Sequence, residues 1–233
     1  MSSSYVEIKS HIQLLIGNGR LAANHKLPAE RELAEQLQVT RITLRDGLNR
    51  LEGEGMVYRQ NRRGWFVAPD RFVMNPTQKV NFNSMTRQQG FRATTKVLGV
   101  RKLTVRHDIY SAFNATKSTR YFEIRRVRYL DQRPVMVEES YLSSECFPEL
   151  SDFDLSGSIT EILQDNYRVN IIHERCNIQV ANLELQYAEP LGIPAGAPGL
   201  RILRLRYDSA EYLIDYNIEY WLPHAIEMEV ATR

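Results

Sequence analysis

Cysteine is scarce in this 233-residue chain: Cys146 and Cys176 are the only two, far apart and without a CxxC or Cys/His spacing. That excludes a disulfide scaffold and a zinc site of the usual spacing, and both are expected to be ordinary small side chains. Long apolar runs are missing too. No stretch approaches the ~18 to 20 consecutive apolar residues of a spanning helix, so no membrane partner is expected. Met1-Ser2-Ser3-Ser4-Tyr5 lacks the basic flank and apolar core of a secretory signal, which gives the expectation of a cytoplasmic protein. No Ser/His/Asp, Cys/His or metal-ligand constellation stands out, so no catalytic residue, cofactor or metal is expected.

Net charge is also small, at +2. Its distribution says more. Residues 1–68 carry ten Lys/Arg against seven Asp/Glu, and residues 69–233 carry twenty against twenty-one. Between positions 41 and 63 lie six arginines (41, 45, 50, 59, 62 and 63) and three acids. A localised positive field suits one module resting on a duplex better than a whole chain wrapping nucleic acid.

The pattern of that basic segment is specific. Val6, Ile8, Ile12, Leu15 and Ile16 recur at helical spacing until Gly17-Asn18-Gly19. Leu27-Pro28 opens an expected second helix with Glu30, Glu32 and Glu35 outside and Leu33, Ala34 and Leu37 inside. Thr40 is placed to cap a third helix, in which Leu44, Leu48 and Leu51 face the core. Arg41, Arg45 and Asn49 then fall within an arc of about 80° beside that stripe, at 100° per residue. Arginine suits the outer face because its planar fork bonds guanine O6 and N7 together or clamps a phosphate. An isolated helix with this face would more often be a solvated basic surface; here Met56–Gln60 and Trp65–Val67 follow as a hairpin around Asn61-Arg62-Arg63-Gly64, which completes a winged helix-turn-helix.

This segment resembles the GntR family of bacterial transcription regulators. The family pattern LPxExELAxxxxVSRxTVRxALxxLxxxGxVxxxxGxGxFV is followed by Leu27-Pro28-Ala29-Glu30-Arg31-Glu32-Leu33-Ala34, Val39-Thr40-Arg41-Ile42-Thr43-Leu44-Arg45-Asp46-Gly47-Leu48 and Gly64-Trp65-Phe66-Val67. The resemblance implies DNA contacts from Arg31, Thr40, Arg41, Thr43, Arg45, Arg63 and Gly64. The sequence departs from the pattern where Ala23-Asn24-His25 replaces a Pro-Pro-Gly and where Arg62 takes a position that is often glycine.

Beyond residue 70 the helical pattern gives way to strand-like alternation. The expected organisation is a DNA-binding domain over 1–70, a linker over 71–80 and a second domain over 81–233. Tyr121–Leu130 and Pro134–Leu142 read as a hairpin around Asp131-Gln132-Arg133, with further strands at 96–106, 170–181, 200–207 and 211–222. Short helices fit at 82–89, 107–114, 158–166 and 183–191. The expected fold class is α+β, a winged helix-turn-helix followed by a mostly antiparallel domain.

The second domain resembles the UTRA domain of the HutC subfamily, a chorismate-lyase-like fold that binds small anionic effectors. Its landmarks stand as Asn81-Phe82-Asn83-Ser84-Met85, Ile124-Arg125-Arg126-Val127-Arg128, Pro134-Val135-Met136-Val137-Glu138, Gly157-Ser158-Ile159 and Asp215-Tyr216-Asn217. Strand alternation independently puts Arg126 and Arg128 on an apolar face with Phe122, Ile124 and Leu130. Buried arginines need either an acid, Glu138 or Glu139, or a ligand anion. Ser158 begins a capping box, and a helix N-terminus beside Gly157 presents free N–H groups to an anion. The resemblance implies that Asn83, Arg126, Arg128 and Ser158 line the site, with Asp215 accepting hydrogen bonds from the ligand's polar end and Trp221 walling it. His224, where Asp is frequent in the family, is expected to be structural.

Together these readings imply a homodimeric repressor on double-stranded operator DNA, released by a small anionic effector such as a phosphosugar, phosphonate or carboxylate. The alternatives are a ligand-dependent activator and, from another class, a lyase-like enzyme.

Overall fold

The computed structural model describes residues 3–78 and 81–231. Met1, Ser2, Lys79, Val80, Thr232 and Arg233 lie outside them, and with them the expectations placed on the extreme N-terminus and the end of the linker. The chain divides into two compact units: the first comprises residues up to Val73 with Gly192–Pro194 and Pro223–Glu227, the second the remainder. No helix among the described residues is long and apolar enough to cross a membrane.

The first unit is built on α1 (Ser3–Gly17), α2 (Glu30–Gln36), α3 (Arg41–Gly53), β1 (Val57–Gln60) and β2 (Gly64–Val67). Thr40 caps α3 as its sequence implies, its Oγ1 accepting from the Thr43 N–H at 3.2 Å. Leu44, Leu48 and Leu51 are fully buried against Ile8 and Ile12 of α1 and Leu33 of α2. Each such burial contributes roughly 1.5 to 3 kcal/mol, which holds the exposed face of α3 in a fixed orientation. Pro28 does not open α2, which starts at Glu30. The reason is local: the Leu27 N–H donates to Trp65 O at 2.9 Å and Lys26 bridges Phe66, so this segment is tied to the hairpin as a short third strand.

A second difference concerns the linker. Phe72–Met74 forms a strand, β3, with Phe72 and Met74 fully buried, paired with β10 (Ile226–Met228) from the far end of the chain. Burial of these apolar side chains outweighs the turn signal of Asn75-Pro76 that follows. His224 is buried and stacks on Tyr58 of β1 with ring centroids 5.5 Å apart, the structural placement expected of it.

The second unit is α+β. Its sheet is antiparallel throughout and runs in the order β4 (Ala93–Thr104), β5 (Arg120–Leu130), β6 (Arg133–Ser143), β9 (Leu213–Trp221), β8 (Pro198–Tyr207), β7 (His173–Asn182). Helices α4 (Phe82–Gln88), α5 (His107–Ala112), α6 (Ile159–Tyr167) and α7 (Leu185–Leu191) connect or cover it. On one face Phe122, Ile124 and Leu142 pack with Ile159 and Leu163 of α6; on the other Tyr141, Tyr216 and Ile218 pack with Ile109 of α5. The first of these faces is apolar at one end and densely charged at the other.

Candidate functional site

Two regions collect the residues singled out by sequence. In the first unit, Arg31, Thr40, Arg41 and Arg45 are exposed and Thr43 is half-buried, on α2 and at the start of α3. The Thr40 and Thr43 hydroxyls lie 2.9 Å apart, so the cap and the helix face are one unit. Arg31 is highly exposed and only loosely paired with Glu35, at 3.7 Å across one helical turn. Arg45 is fixed: its Nη2 donates to Glu30 Oε2 at 2.8 Å, while Glu30 Oε1 accepts from Trp65 Nε1 at 3.0 Å. One carboxylate therefore ties α2, α3 and the hairpin together. Burial pushes the Glu30 carboxyl up, but the hydrogen bonds from Arg45 and Trp65 outweigh it and leave the pKa below its ordinary value.

At the hairpin tip, the Arg63 guanidinium lies 5.4 Å from the centre of the Phe66 ring. Gly64 has φ +103°, a conformation closed to side-chain-bearing residues, and a Cβ there would stand 3.3 Å from Lys26 Cε. Arg62 also takes a left-handed conformation, φ 60°, which gives the physical reason why glycine suits that position. Glu30 was the residue the sequence reading missed here, although its place in the Leu27–Ala34 motif could have pointed to it.

In the second unit, five of the six residues expected to line an effector site border one cavity: Asn83, Arg126, Arg128, Ser158 and Trp221. The cavity holds about 500 Å³ of atom-free space, part of it open to solvent. Asp215 is the exception. It is buried behind the cavity, its Oδ2 accepting from Arg206 Nη1 at 2.8 Å. Alternation along β9 put Asp215 on the correct face, but the register sets Arg206 of β8 directly opposite it. Arg206 lines the cavity and screens Asp215 from it. Glu138, Glu219, Phe82 and Met136 complete much of the wall; Glu219 shares the alternation that marked Asp215 and Trp221 and could have been included on that signal.

The two central arginines share one acid. Glu138 Oε1 lies 2.5 Å from Arg126 Nη2 and 2.9 Å from Arg128 Nη2, whereas Glu139 points to the other face and pairs with Arg125 at 3.0 Å. Arg126 Nη1 donates to the carbonyls of Leu155 and Gly157 at 3.0 and 2.9 Å, and its buried Nε has no hydrogen-bond partner among the described residues. Burial pushes the Arg126 pKa down to about 10, against the pull of Glu138. Burial would raise Glu138, but Arg126 and Arg128 hold it down at about 2. Burial raises Asp215 to about 6 despite Arg206. Ser158 caps α6, its Oγ accepting from Glu161 N–H at 3.2 Å, and sets that helix's N-terminus on the cavity rim. The arrangement can hold an anion on guanidinium and helix N–H donors. No cluster of His, Cys, Asp and Glu among the described residues could hold a metal ion.

Residues 4–67 match the bacterial regulatory proteins of the gntR family, and residues 88–227 match the UTRA domain. The chain is similar to YihL of Escherichia coli, an uncharacterized HTH-type transcriptional regulator, at 25% identity over 227 residues covering 97% of this chain and 96% of the relative. It is similar to the HTH-type transcriptional repressor NagR of Bacillus subtilis at 26% identity over 203 residues, 87% of this chain and 84% of NagR. Among solved structures, PhnF of Mycobacterium smegmatis shares the fold with a TM-score of 0.67, at 22% identity over 99% of this chain and 100% of PhnF.

Proposed function

We propose that this chain, which belongs to the gntR family of bacterial regulatory proteins and carries the UTRA domain of the HutC subfamily, is a cytoplasmic repressor released from its operator by a small anionic metabolite. Members of this family are DNA-binding transcriptional regulators and not enzymes, so the α3 face and the cavity are output and input of one switch. The observation that carries the reading is Arg126: a buried guanidinium on the cavity wall whose Nε has no hydrogen-bond partner among the described residues, beside Arg128 and the N-terminus of α6. The name of NagR as a repressor supports repression over activation.

In this reading Thr40, Arg41, Thr43 and Arg45 contact the major groove, Arg31 the phosphates, and Arg63 with Gly64 the adjoining groove. Two copies place two recognition helices on half-sites about one duplex turn apart, roughly 34 Å. Ile178 and Val180, exposed on the edge strand β7, support a second copy of the chain as the partner. Effector binding shifts the spacing of the two helices, and affinity for DNA and effector are then reciprocally linked. The test is a thermal-shift screen with phosphosugars, phosphonates and small carboxylates, followed by fluorescence-anisotropy measurement of operator release by each hit. Ligands that raise the melting temperature while none releases the operator would refute the switch.

A further inference from the structure

The cavity floor carries an unusual charge pattern. Across the strands β5, β6 and β9, Arg126 stands opposite Glu138, and Glu138 stands opposite Glu219. Two carboxylates facing each other on adjacent strands repel, and burial at 3% exposure each strengthens the repulsion. The sheet tolerates the pair because each acid has its own arginines. Glu138 takes Arg126 and Arg128, and Glu219 Oε1 takes Arg204 Nε at 2.7 Å. Arg204 in turn reaches Glu174 at 3.1 Å, and Glu174 and Asp215 hold Arg206 at 3.3 and 2.8 Å. Four arginines thus interlock with four carboxyl groups, and the set has no net charge when all are ionised.

A plain anion fits such a set poorly. Drawing Arg126 and Arg128 toward a phosphate or carboxylate takes them from Glu138, which is then a buried carboxylate facing Glu219 without its counter-charges. A ligand that also brings a cation restores the balance. Both acids line the cavity with Arg126 and Arg128. Glu219 has spare capacity: Oε1 accepts from Arg204 and Oε2 from Trp221 Nε1 at 2.8 Å, two of the roughly four acceptor positions of a carboxylate. Both arginines hold Oε1 of Glu138, which leaves Oε2 outside that pairing. The indole of Trp221 and the ring of Phe82, centroids 6.1 Å apart, wall the same space, and the Phe82 ring already carries the Arg128 guanidinium 4.8 Å from its centre, which shows that these walls accept a cation.

We propose that the effector is a zwitterion, carrying an anionic group for Arg126 and Arg128 and an ammonium group for Glu138 and Glu219. This rests on the reading of the cavity as the effector site. The matched probes are ethyl phosphate against 2-aminoethyl phosphate, and propionate against β-alanine, each titrated into the full-length protein by calorimetry. Within at least one pair the ammonium compound binds the wild type at least about tenfold more tightly, the scale set by a desolvated charge pair. Glu219→Gln keeps the shape and an acceptor for Arg204 while leaving the set one positive charge in excess. In that variant the plain anion gains affinity, the ammonium compound loses it, and the preference narrows by about tenfold or more. Equal binding of plain and ammonium compounds to the wild type overturns the proposal, and so does a preference that Glu219→Gln leaves unchanged. If Glu219→Gln does not fold, the wild-type comparison within each pair still decides. Failure of all four probes to bind wild type and variant would remove the cavity as effector site and this inference with it, an outcome distinct from binding without preference.

Discussion

Replacing Glu30 tests whether one carboxylate fastens the recognition helix to the wing. Glu30→Ala removes three things: the bond to Trp65 Nε1 at 3.0 Å, the ion pair with Arg45 at 2.8 Å, and a negative charge in the first turn of α2. Trp65 is only 3% exposed, so its N–H is left unpaired in the interior, at about 1 to 3 kcal/mol. The Arg45 side chain is 47% exposed and screened, which limits the ion pair to about 0 to 1 kcal/mol, and the helix-end charge adds about 0.3 to 1 kcal/mol. Glu30→Ala should therefore cost about 1 to 5 kcal/mol, whereas Glu30→Gln, which still offers Trp65 an acceptor, should cost about 1 kcal/mol. Urea unfolding followed by tryptophan emission measures both, in a Trp221→Phe background so that Trp65 is the sole emitter of the chain's two tryptophans. The pH dependence has a defined sign. Because the folded pKa of Glu30 lies below its ordinary value, its contribution is present above the usual carboxylate range and is lost as the pH falls through the lowered value. Glu30→Gln removes that dependence. Equal destabilisation by Ala and Gln would refute the assignment of the larger part to the Trp65 bond.

Arg45→Ala should weaken operator binding by about 1 to 3 kcal/mol and relax base preference at one position, read by gel-shift titration on operator variants; unchanged affinity would remove Arg45 from the readout. Arg126→Ala with Arg128→Ala strands Glu138 in the interior, so the cleaner variant adds Glu138→Gln: operator binding should persist while release by any effector found in the screen disappears, and normal release would remove both arginines from the effector site. Glu138→Gln alone should destabilise the second unit by about 3 kcal/mol at neutral pH. With the Glu138 carboxyl held at about 2, the gap between wild type and variant should close as the pH falls below the ordinary carboxylate range, and a gap independent of pH in urea titrations would refute the pairing.

Much of the first unit was legible because its signals are local. The i, i+4, i+7 leucines of α3, the Thr40 cap and the Gly64 turn each act within a few residues, and all three are found where their spacing places them. The strands of the second unit were legible for the same reason, as alternation is local too. β3 was not, because its stability comes from pairing with β10, more than a hundred residues away, and from burial that no neighbour in sequence provides.

The partner of Arg126 shows where local signals end. Asp131 and Gln132 both take left-handed conformations, φ 50° and 67°, the two-residue turn that pairs Leu130 with Arg133 and Tyr129 with Pro134. Continued without interruption, that register would set Arg126 opposite Val137, on the face that carries Glu139. A bulge intervenes: Arg128 pairs with Met136, so Val135 is the extra residue, and every later pair shifts by one. Glu138 thereby turns onto the face of Arg126, and Glu139 goes to the other side with Arg125. Since a one-residue slip exchanges the faces of a strand, both acids were acceptable partners to any reading by alternation. The register of β6 on β9 runs through Val135 without a shift and sets Glu138 opposite Glu219, so the charge pattern on the cavity floor needs both pairings: the inserted residue that turns Arg126 to Glu138, and the uninterrupted ladder that sets Glu138 against Glu219.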